Sequence, residues 1–342
     1  MNGFKRICAC IIGMVLLVAG ILKLMDPVGA GLVMDEYLNF FHLAFLKPLS
    51  RVLACLLAMW ESILGAALIA GIWRKTMALA GGITLAFFTI LTIILYIANP
   101  AMDCGCFGET VHLTHAQTLL KNLILDALWC LAFIPLGKLG LPQRIKYASF
   151  SLAAISLVLF LLFSSLSIPL RDFTKFKPGV ELDEQPLYFY DAKFDYADSL
   201  ALQGDVMLIS VWDVVKFDKE ASERVASFAD AASSNGFTVL CLVASTPDDF
   251  SERGINPALL ALTYFGDRKE LMTLNRSNGG VTYVSDGQII RKWAYRSLPN
   301  DNLLLGDLKS KAPMDVLLAR QNRTRALFQG FTLYLFAVLF LL

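Results

Sequence analysis

The residues best suited to chemistry are two cysteines one residue apart, in Asp103-Cys104-Gly105-Cys106-Phe107-Gly108. Thiols at that spacing can close a very small disulfide only if the backbone between them bends, and Gly105 supplies that freedom. A ring so small is strained, and strain makes a disulfide easier to reduce and a better oxidant. A labile, accessible pair suits thiol–disulfide exchange, although the same residues could form a fixed disulfide or merely shape a loop. His112 and His115 follow closely, so Cys104, Cys106, His112 and His115 also make a weaker candidate set of two sulfurs and two nitrogens for a metal. That spacing matches none of the usual zinc-finger patterns. Thr114 reads as a helix cap that places His115 at a helix start, and solvated loop histidines are the default reading.

A second group of candidates lies within apolar segments. Glu61 and Asp126 each fall roughly 14 Å below one membrane surface, at about 1.5 Å of rise per residue, and Lys23 and Lys121 are shallower on the same side. Ionisable residues inside a bilayer are costly and usually face a bundle interior, paired or on a pathway. Lys23, Glu61, Lys121 and Asp126, with Asn122 one turn before Asp126, would conduct protons, line a quinone pocket, or form an ion-pair network that orders the helices.

These residues need helices to position them. The chain of 342 residues is 56% hydrophobic and 17% charged, with the apolar excess gathered into long runs. Runs at about 7–24, 51–72, 77–98, 117–137 and 147–169 reach the roughly 20 residues a bilayer core requires, and 326–342 is near the lower limit. Lys5 and Arg6 precede the first run as in a secretory signal, but no small-residue cleavage site closes it, so it is read as an uncleaved helix. Lys5 and Arg6, Arg74 and Lys75, and Lys138, Arg144 and Lys146 fall on one side of successive helices, which places the N-terminus in the cytoplasm. The loop holding Cys104 and Cys106 is then outside, with everything from 171 to about 325; Arg320, Arg323 and Arg325 run against the rule. Loop 25–50 carries an amphipathic stretch, 37–41, expected along the outer membrane surface. Net charge of +1 without a basic stripe excludes a nucleic-acid partner.

Of seven cysteines only Cys104, Cys106 and Cys241 lie on the expected oxidising side; Cys8 and Cys10 read as small apolar helix residues. Residues 206–212 and 238–243 are apolar runs suited to buried parallel strands, separated by a helix at 217–234. A helix at 256–264, a hairpin turning on Asp286-Gly287 and a helix at 300–310 follow. Strand, helix, strand, helix, hairpin, helix is the thioredoxin order. The place of a catalytic Cys-x-x-Cys, Trp212 to Asp218, contains no cysteine, Gly279-Gly280 stands where such domains carry a proline, and Cys241 is mid-strand. The soluble part is therefore expected to bind or position a partner.

Gly20-Ile21-Leu22-Lys23-Leu24-Met25-Asp26-Pro27, Glu61 with Leu64-Gly65, and Cys104-Gly105-Cys106-Phe107-Gly108 followed by Leu113-Thr114 and Lys121-Asn122 resemble the DoxX/MauE superfamily over about residues 5–140. The layout with a degenerate thioredoxin-like domain and a closing helix looks like a DoxX-family protein of Bacteroidetes bacteria. MauE is implicated in maturing a disulfide-rich periplasmic enzyme, so the resemblance implies redox or thiol handling in the manner of DsbB or vitamin K epoxide reductase. Those enzymes use Cys-x-x-Cys and a quinone, where this chain has Cys-x-Cys.

The expected architecture is a membrane all-α protein. A four-helix DoxX-like bundle (1–140) and a fifth transmembrane helix (141–170) precede an inserted α/β thioredoxin-like periplasmic domain (171–323) and a C-terminal transmembrane helix (324–342). The expected function is an inner-membrane thiol–disulfide redox or protein-maturation component. Cys104, Cys106, Glu61 and Asp126 would act chemically, and Lys23, Lys121 and Asn122 would line a site for a quinone as candidate cofactor. The expected partners are the lipid bilayer and a periplasmic protein. A non-enzymatic scaffold recruiting that partner, or transport through the charged bundle, are the alternatives.

Overall fold

The computed structural model describes residues 3–100, 102, 104–109, 113–134, 144–169, 171–250, 255–299 and 302–341. The chain divides into two compact units, Met1–Leu166 with Gly330–Leu342, and Ser167–Gln329.

The first unit is helical. It contains α1 (Gly3–Met25), α2 (Pro27–Phe40), a 3-10 turn, α3 (Ser50–Ala70), α4 (Arg74–Ala98), the short strand β1 (Cys106–Glu109), α5 (His115–Phe133) and α6 (Arg144–Leu166). Among the described residues five stretches, within α1, η-turn-plus-α3, α4, α5 and α6, are long and apolar enough to cross a membrane. Large apolar side chains such as Ile83, Phe87, Ile90 and Ile97 of α4 stand exposed, as on helices that face lipid. This is a multi-pass membrane unit. The run expected at 326–342 belongs to a helix described below, and its last residues fall partly outside the described ones.

Helices in a bilayer gain no hydrophobic energy from one another, so close backbone approach through small residues must hold them. The α1–α3 contact shows this. A Cβ on Gly20 would collide with the Ser62 hydroxyl and the Ala58 carbonyl, and one on Gly65 would collide with the Gly13 carbonyl. At the end of the bundle where α1 begins, basic residues serve orphaned helix carbonyls. Lys5 Nζ donates to Ile134 O (2.6 Å), Arg6 to the carbonyls of Leu68 and Ile69, and Arg74 Nε to Gly71 O (2.9 Å).

The segment after α1 forms more regular structure than its amphipathic stretch implies. Asp26 accepts a hydrogen bond from Gly29 N–H (2.9 Å) and Pro27 fills the first helical position, starting a helix whose residues Pro27 to Leu32 are buried.

The second unit is a mixed α/β domain. Its strands are β2 (Phe189–Tyr190), β3 (Asp205–Val211), β4 (Thr238–Val243), β5 (Thr263–Gly266), β6 (Gly280–Ser285) and β7 (Gln288–Trp293), in the order β2-β5-β4-β3-β6-β7. β3, β4 and β5 run parallel, and β6 and β7 form an antiparallel hairpin against β3. The crossover from β3 to β4 is α7 (Lys219–Ser234), which buries Val225, Phe228 and Ala232 in the core and is capped by Asp218. Asp286 and Gly287 both adopt positive φ, as the tight turn between β6 and β7 demands. The helix expected over 256–264 is only α8 (Pro257–Leu260). The chain extends at Thr263 to pair with β4, because this apolar run completes the sheet instead of presenting one helical face. The unit continues through α9 (Arg268–Leu274) and α10 (Asn302–Ser310) into α11 (Pro313–Leu341), which carries the last apolar run.

Asp205, at the start of β3, accepts from Tyr283 (2.8 Å), Ser285 (2.7 Å) and Lys309. Burial alone would raise its pKa, but hydrogen bonds from Lys309, Ser285 and Tyr283 more than offset that and hold the carboxyl below its ordinary value. A depressed carboxyl pKa stabilises the fold above the unfolded value of about 3.9, and the contribution is lost as pH falls through the folded value. Asp205→Asn should therefore lower the thermal midpoint of the protein near neutral pH. The gap to wild type should close below about pH 4, and a gap independent of pH would refute the assignment.

The helix interface makes its own prediction. Gly20→Leu should destabilise the detergent-solubilised protein by about 1–3 kcal/mol or abolish folding, whereas Gly3→Leu, where nothing lies within 4 Å of a new Cβ, should leave the melting curve near that of wild type.

Candidate functional site

The close α1–α3 approach brings Lys23 and Glu61 together. Lys23 Nζ donates to both carboxylate oxygens of Glu61 at 2.7 Å, and Glu61 is 2% exposed. A buried charge is tolerable only when paired and hydrogen-bonded, and removing one partner of such a pair typically costs about 3–5 kcal/mol. The pair forms part of the wall of a cavity of about 240 Å³ enclosed by α1, α2, α3, α4, α5 and the cysteine loop. Most of the wall is aliphatic and aromatic. Its polar points are Lys23, Glu61, Tyr37, Thr92, Thr118, Lys121 and Asn122, together with Cys104 and Cys106.

The cysteine loop is held by α2. Gly105 has φ +58°, and a Cβ there would run into Val33, so the position excludes any side chain on two counts. The Tyr37 hydroxyl donates to the Cys104 carbonyl at 2.7 Å. Burial, then the neighbouring Cys106, Cys104 and Glu36, hold the Tyr37 phenol above its ordinary pKa, so it remains a neutral donor. On the far side Lys121 Nζ lies 5.1 Å from the centroid of the Phe107 ring.

Cys104 is buried and Cys106 partly exposed. Cys104 Sγ lies 2.9 Å from His115 Nδ1. His115 Nε2 is 3.2 Å from the Pro100 carbonyl, which can only accept. That contact puts the ring proton on Nε2 and leaves Nδ1 bare towards the thiol. The imidazole is fixed by its position at the start of α5. Thr114 accepts from Gln117 N–H (3.2 Å) while its own N–H donates to Gln117 Oε1 (3.1 Å), a reciprocal cap. His115 is therefore a thiol partner and not the solvated loop residue its sequence context suggests.

Of the residues singled out in the sequence, the fold gathers Cys104, Cys106, Glu61, Lys23, Lys121 and Asn122 around one cavity. Asn122 donates to Thr92 Oγ1 (2.8 Å) and the Phe88 carbonyl (3.2 Å). Asp126 is apart from them: it accepts from Thr89 Oγ1 at 2.7 Å and does not line the cavity. One helical turn separates it from Asn122, enough for the two side chains to take different partners. Of the alternative metal set, His112 lies outside the described residues, and no group of three or more metal-type ligands occurs among the described ones.

Two cavity residues had no sequence signal of their own. Tyr37 is one aromatic residue in an apolar stretch, and Thr118 is an ordinary polar residue of α5. Thr118 is fully buried, yet its hydroxyl has no hydrogen-bond partner among the described residues. An orphaned buried donor in a mostly apolar cavity fits a ligand that carries an acceptor oxygen.

The second unit has a single cysteine in its sequence, Cys241. The loop after β3 is fastened by Asn278, whose Oδ1 accepts from the N–H groups of Trp212 (2.9 Å) and Asp213 (3.1 Å) and whose Nδ2 donates to Asp213 O (2.8 Å). Burial pushes the Cys241 thiol up to about 12, partly offset by a hydrogen bond with Thr263, so it stays protonated.

No curated protein and no solved structure matches the chain. The family described as Methylamine utilisation protein MauE matches residues 1–136, the stretch that contains α1 to α5, the cysteine loop and every residue of the cavity. Residues 1–136, the membrane portion up to the end of α5, are thus similar to the MauE family, of DoxX/MauE type.

Proposed function

We propose that the protein is a thiol–disulfide component of the inner membrane, with Cys104 and Cys106 as its redox pair and the periplasm as the side on which they work. The observation that carries this reading is the contact of Cys104 with a bare imidazole nitrogen of His115, at the wall of a cavity within the membrane unit. In the oxidised state a client thiolate attacks the more accessible Cys106 sulfur. The Cys104–Cys106 bond breaks, and Cys104 leaves as a thiolate beside His115, whose Nδ1 relays to it the proton the first client thiol gave up; the second client proton goes to Cys106 when that sulfur is released. The second client thiolate then attacks the client sulfur of the mixed disulfide and releases Cys106. The client is oxidised by two electrons and the pair reduced by two. The leaving thiol is the one whose anion the protein can stabilise, and that controls the rate of such exchange.

Restoring the disulfide needs an acceptor for two electrons and two protons. The cavity supports a quinone in that role: its walls are mostly apolar, Thr118 offers an unsatisfied hydroxyl, Lys23 and Lys121 add further donors, and Asn122, its amide N–H groups given to Thr92 and Phe88, would line the site. Such a cofactor would supply the two-electron sink, while Glu61 keeps the Lys23 ammonium within the wall. Asp126, hydrogen-bonded to Thr89, would serve only as a proton site outside the cavity.

We read the second unit as a thioredoxin-like domain that binds or positions a client. The parallel β3-α7-β4 crossover with an antiparallel β6–β7 hairpin on the same sheet supports this. Its lack of cysteine between Trp212 and Asp218 leaves the exchange chemistry to the membrane unit.

Alkylation trapping in cells tests the redox role. Cys104 and Cys106 should be found in both reduced and oxidised forms, shifting towards reduced when quinone supply is cut. His115→Ala should slow oxidation of a reduced dithiol peptide by the purified protein by roughly a hundredfold or more, with the thermal midpoint little changed. A pair that stays in one state under both supplies, or a Cys104→Ser, Cys106→Ser double variant as active as wild type, would sink the proposal.

A further inference from the structure

A second cavity, of about 570 Å³, lies wholly within the Ser167–Gln329 unit and plays no part in the thiol chemistry. Its wall carries Arg171, Lys177, Arg276, Lys292, Arg320 and Arg325, with Asp172 as the sole carboxylate among the described residues. That carboxylate is already committed. Asp172 Oδ2 accepts from Lys292 Nζ at 2.6 Å, and both side chains are largely buried. Arg276, 7% exposed, donates from Nη1 to the Met272 carbonyl at 2.9 Å. Arg171 stacks its guanidinium over the rings of Phe173 and Phe328, 5.2 and 5.4 Å from their centroids, and among the described residues no carboxylate pairs with it. Among the described residues no carboxylate pairs with Arg320 or Arg325.

The wall contributed by α11 is one helical face: Arg320, Thr324 and Phe328 repeat at four residues, and Gln321, Arg325 and Gln329 form the adjoining row. Burial, then Arg323, pushes the Arg320 guanidinium below its ordinary value, and burial, then Arg320 and Arg323, does the same to Arg291. Like charges are therefore held together here against their mutual repulsion. Arg320 and Arg323, with Arg325, are also the arginines whose positions run against the charge bias of the membrane loops. The cavity begins two residues after Leu166, where a membrane-spanning helix ends, and its last lining residues, Phe328 and Gln329, fall at the start of the terminal apolar run of α11.

We propose that this cavity is a binding site for a phosphate group, gripped by Arg171, Arg320 and Arg325. Several guanidinium forks match the tetrahedral oxygens of a phosphate better than a single carboxylate, and its charge relieves the repulsion among them. The phosphate comes either from the headgroup of an anionic lipid, which basic pockets beside membrane helices select, or from a soluble phosphate.

The test uses the full-length protein in nanodiscs of phosphatidylcholine, with and without phosphatidylglycerol, and separately in phosphatidylcholine nanodiscs titrated with inorganic phosphate. Phosphate in one form or the other should raise the thermal midpoint of wild type. A rise with phosphatidylglycerol alone identifies the lipid source, and a rise with inorganic phosphate the soluble one. In R320Q/R325Q the apparent affinity should fall by about tenfold or more. Should that variant fail to fold, R171Q serves as the second variant and should weaken binding in the same direction. No rise with either form in wild type, or equal rises in wild type and in the folded variant, would overturn the proposal.

Discussion

The Lys23–Glu61 ion pair is the interaction on which the membrane unit turns. Two charges placed deep between apolar helices must meet at hydrogen-bonding distance or be expelled, and they meet only because α1 and α3 approach as closely as Gly13, Gly20 and Gly65 permit. The pairing sets the relative height of the two helices along their axes. A slip by one turn, about 5.4 Å, would separate the charges entirely. Packing against aliphatic neighbours alone would tolerate such a slip far better.

From that register the cysteine loop follows by a short series of contacts. α2 starts one residue after α1 ends, capped by Asp26, and packs beside α3. It presents Val33 to Gly105 and the Tyr37 hydroxyl to the Cys104 carbonyl, while α5 presents His115 to the Cys104 sulfur. A mobile loop would leave two thiols at the mercy of solvent. Here one thiol is withdrawn into the wall of the cavity and the other left accessible, which gives the two chemically equivalent residues unequal roles.

Much of this was legible in the sequence, and the physical reason is periodicity. Runs such as 77–98 are apolar over a full bilayer thickness, and no soluble helix needs that. The strands at 206–212 and 238–243 are apolar on both faces, as central parallel strands must be. The signals that misled were local ones. Thr263 to Gly266 reads as a helical continuation until β4 is available to pair with it. His115 reads as a solvated loop residue because its closeness to Cys104 along the chain does not say that the ring turns towards that sulfur.

The sequence by itself determined the membrane helices, the unusual cysteine pair and the absence of cysteine from the loop after β3, because each depends only on residue type and short-range spacing. Tertiary structure decided which ionisable residues share a site. It joined Lys23 to Glu61 across 38 positions, enclosed Lys121 and Asn122 with the cysteines, and left Asp126 with Thr89. It also collected Arg171, Arg276 and Arg320 around one cavity from segments far apart in the chain. Spacing along a helix says which side chains share a face; only the packing of helices says what that face meets.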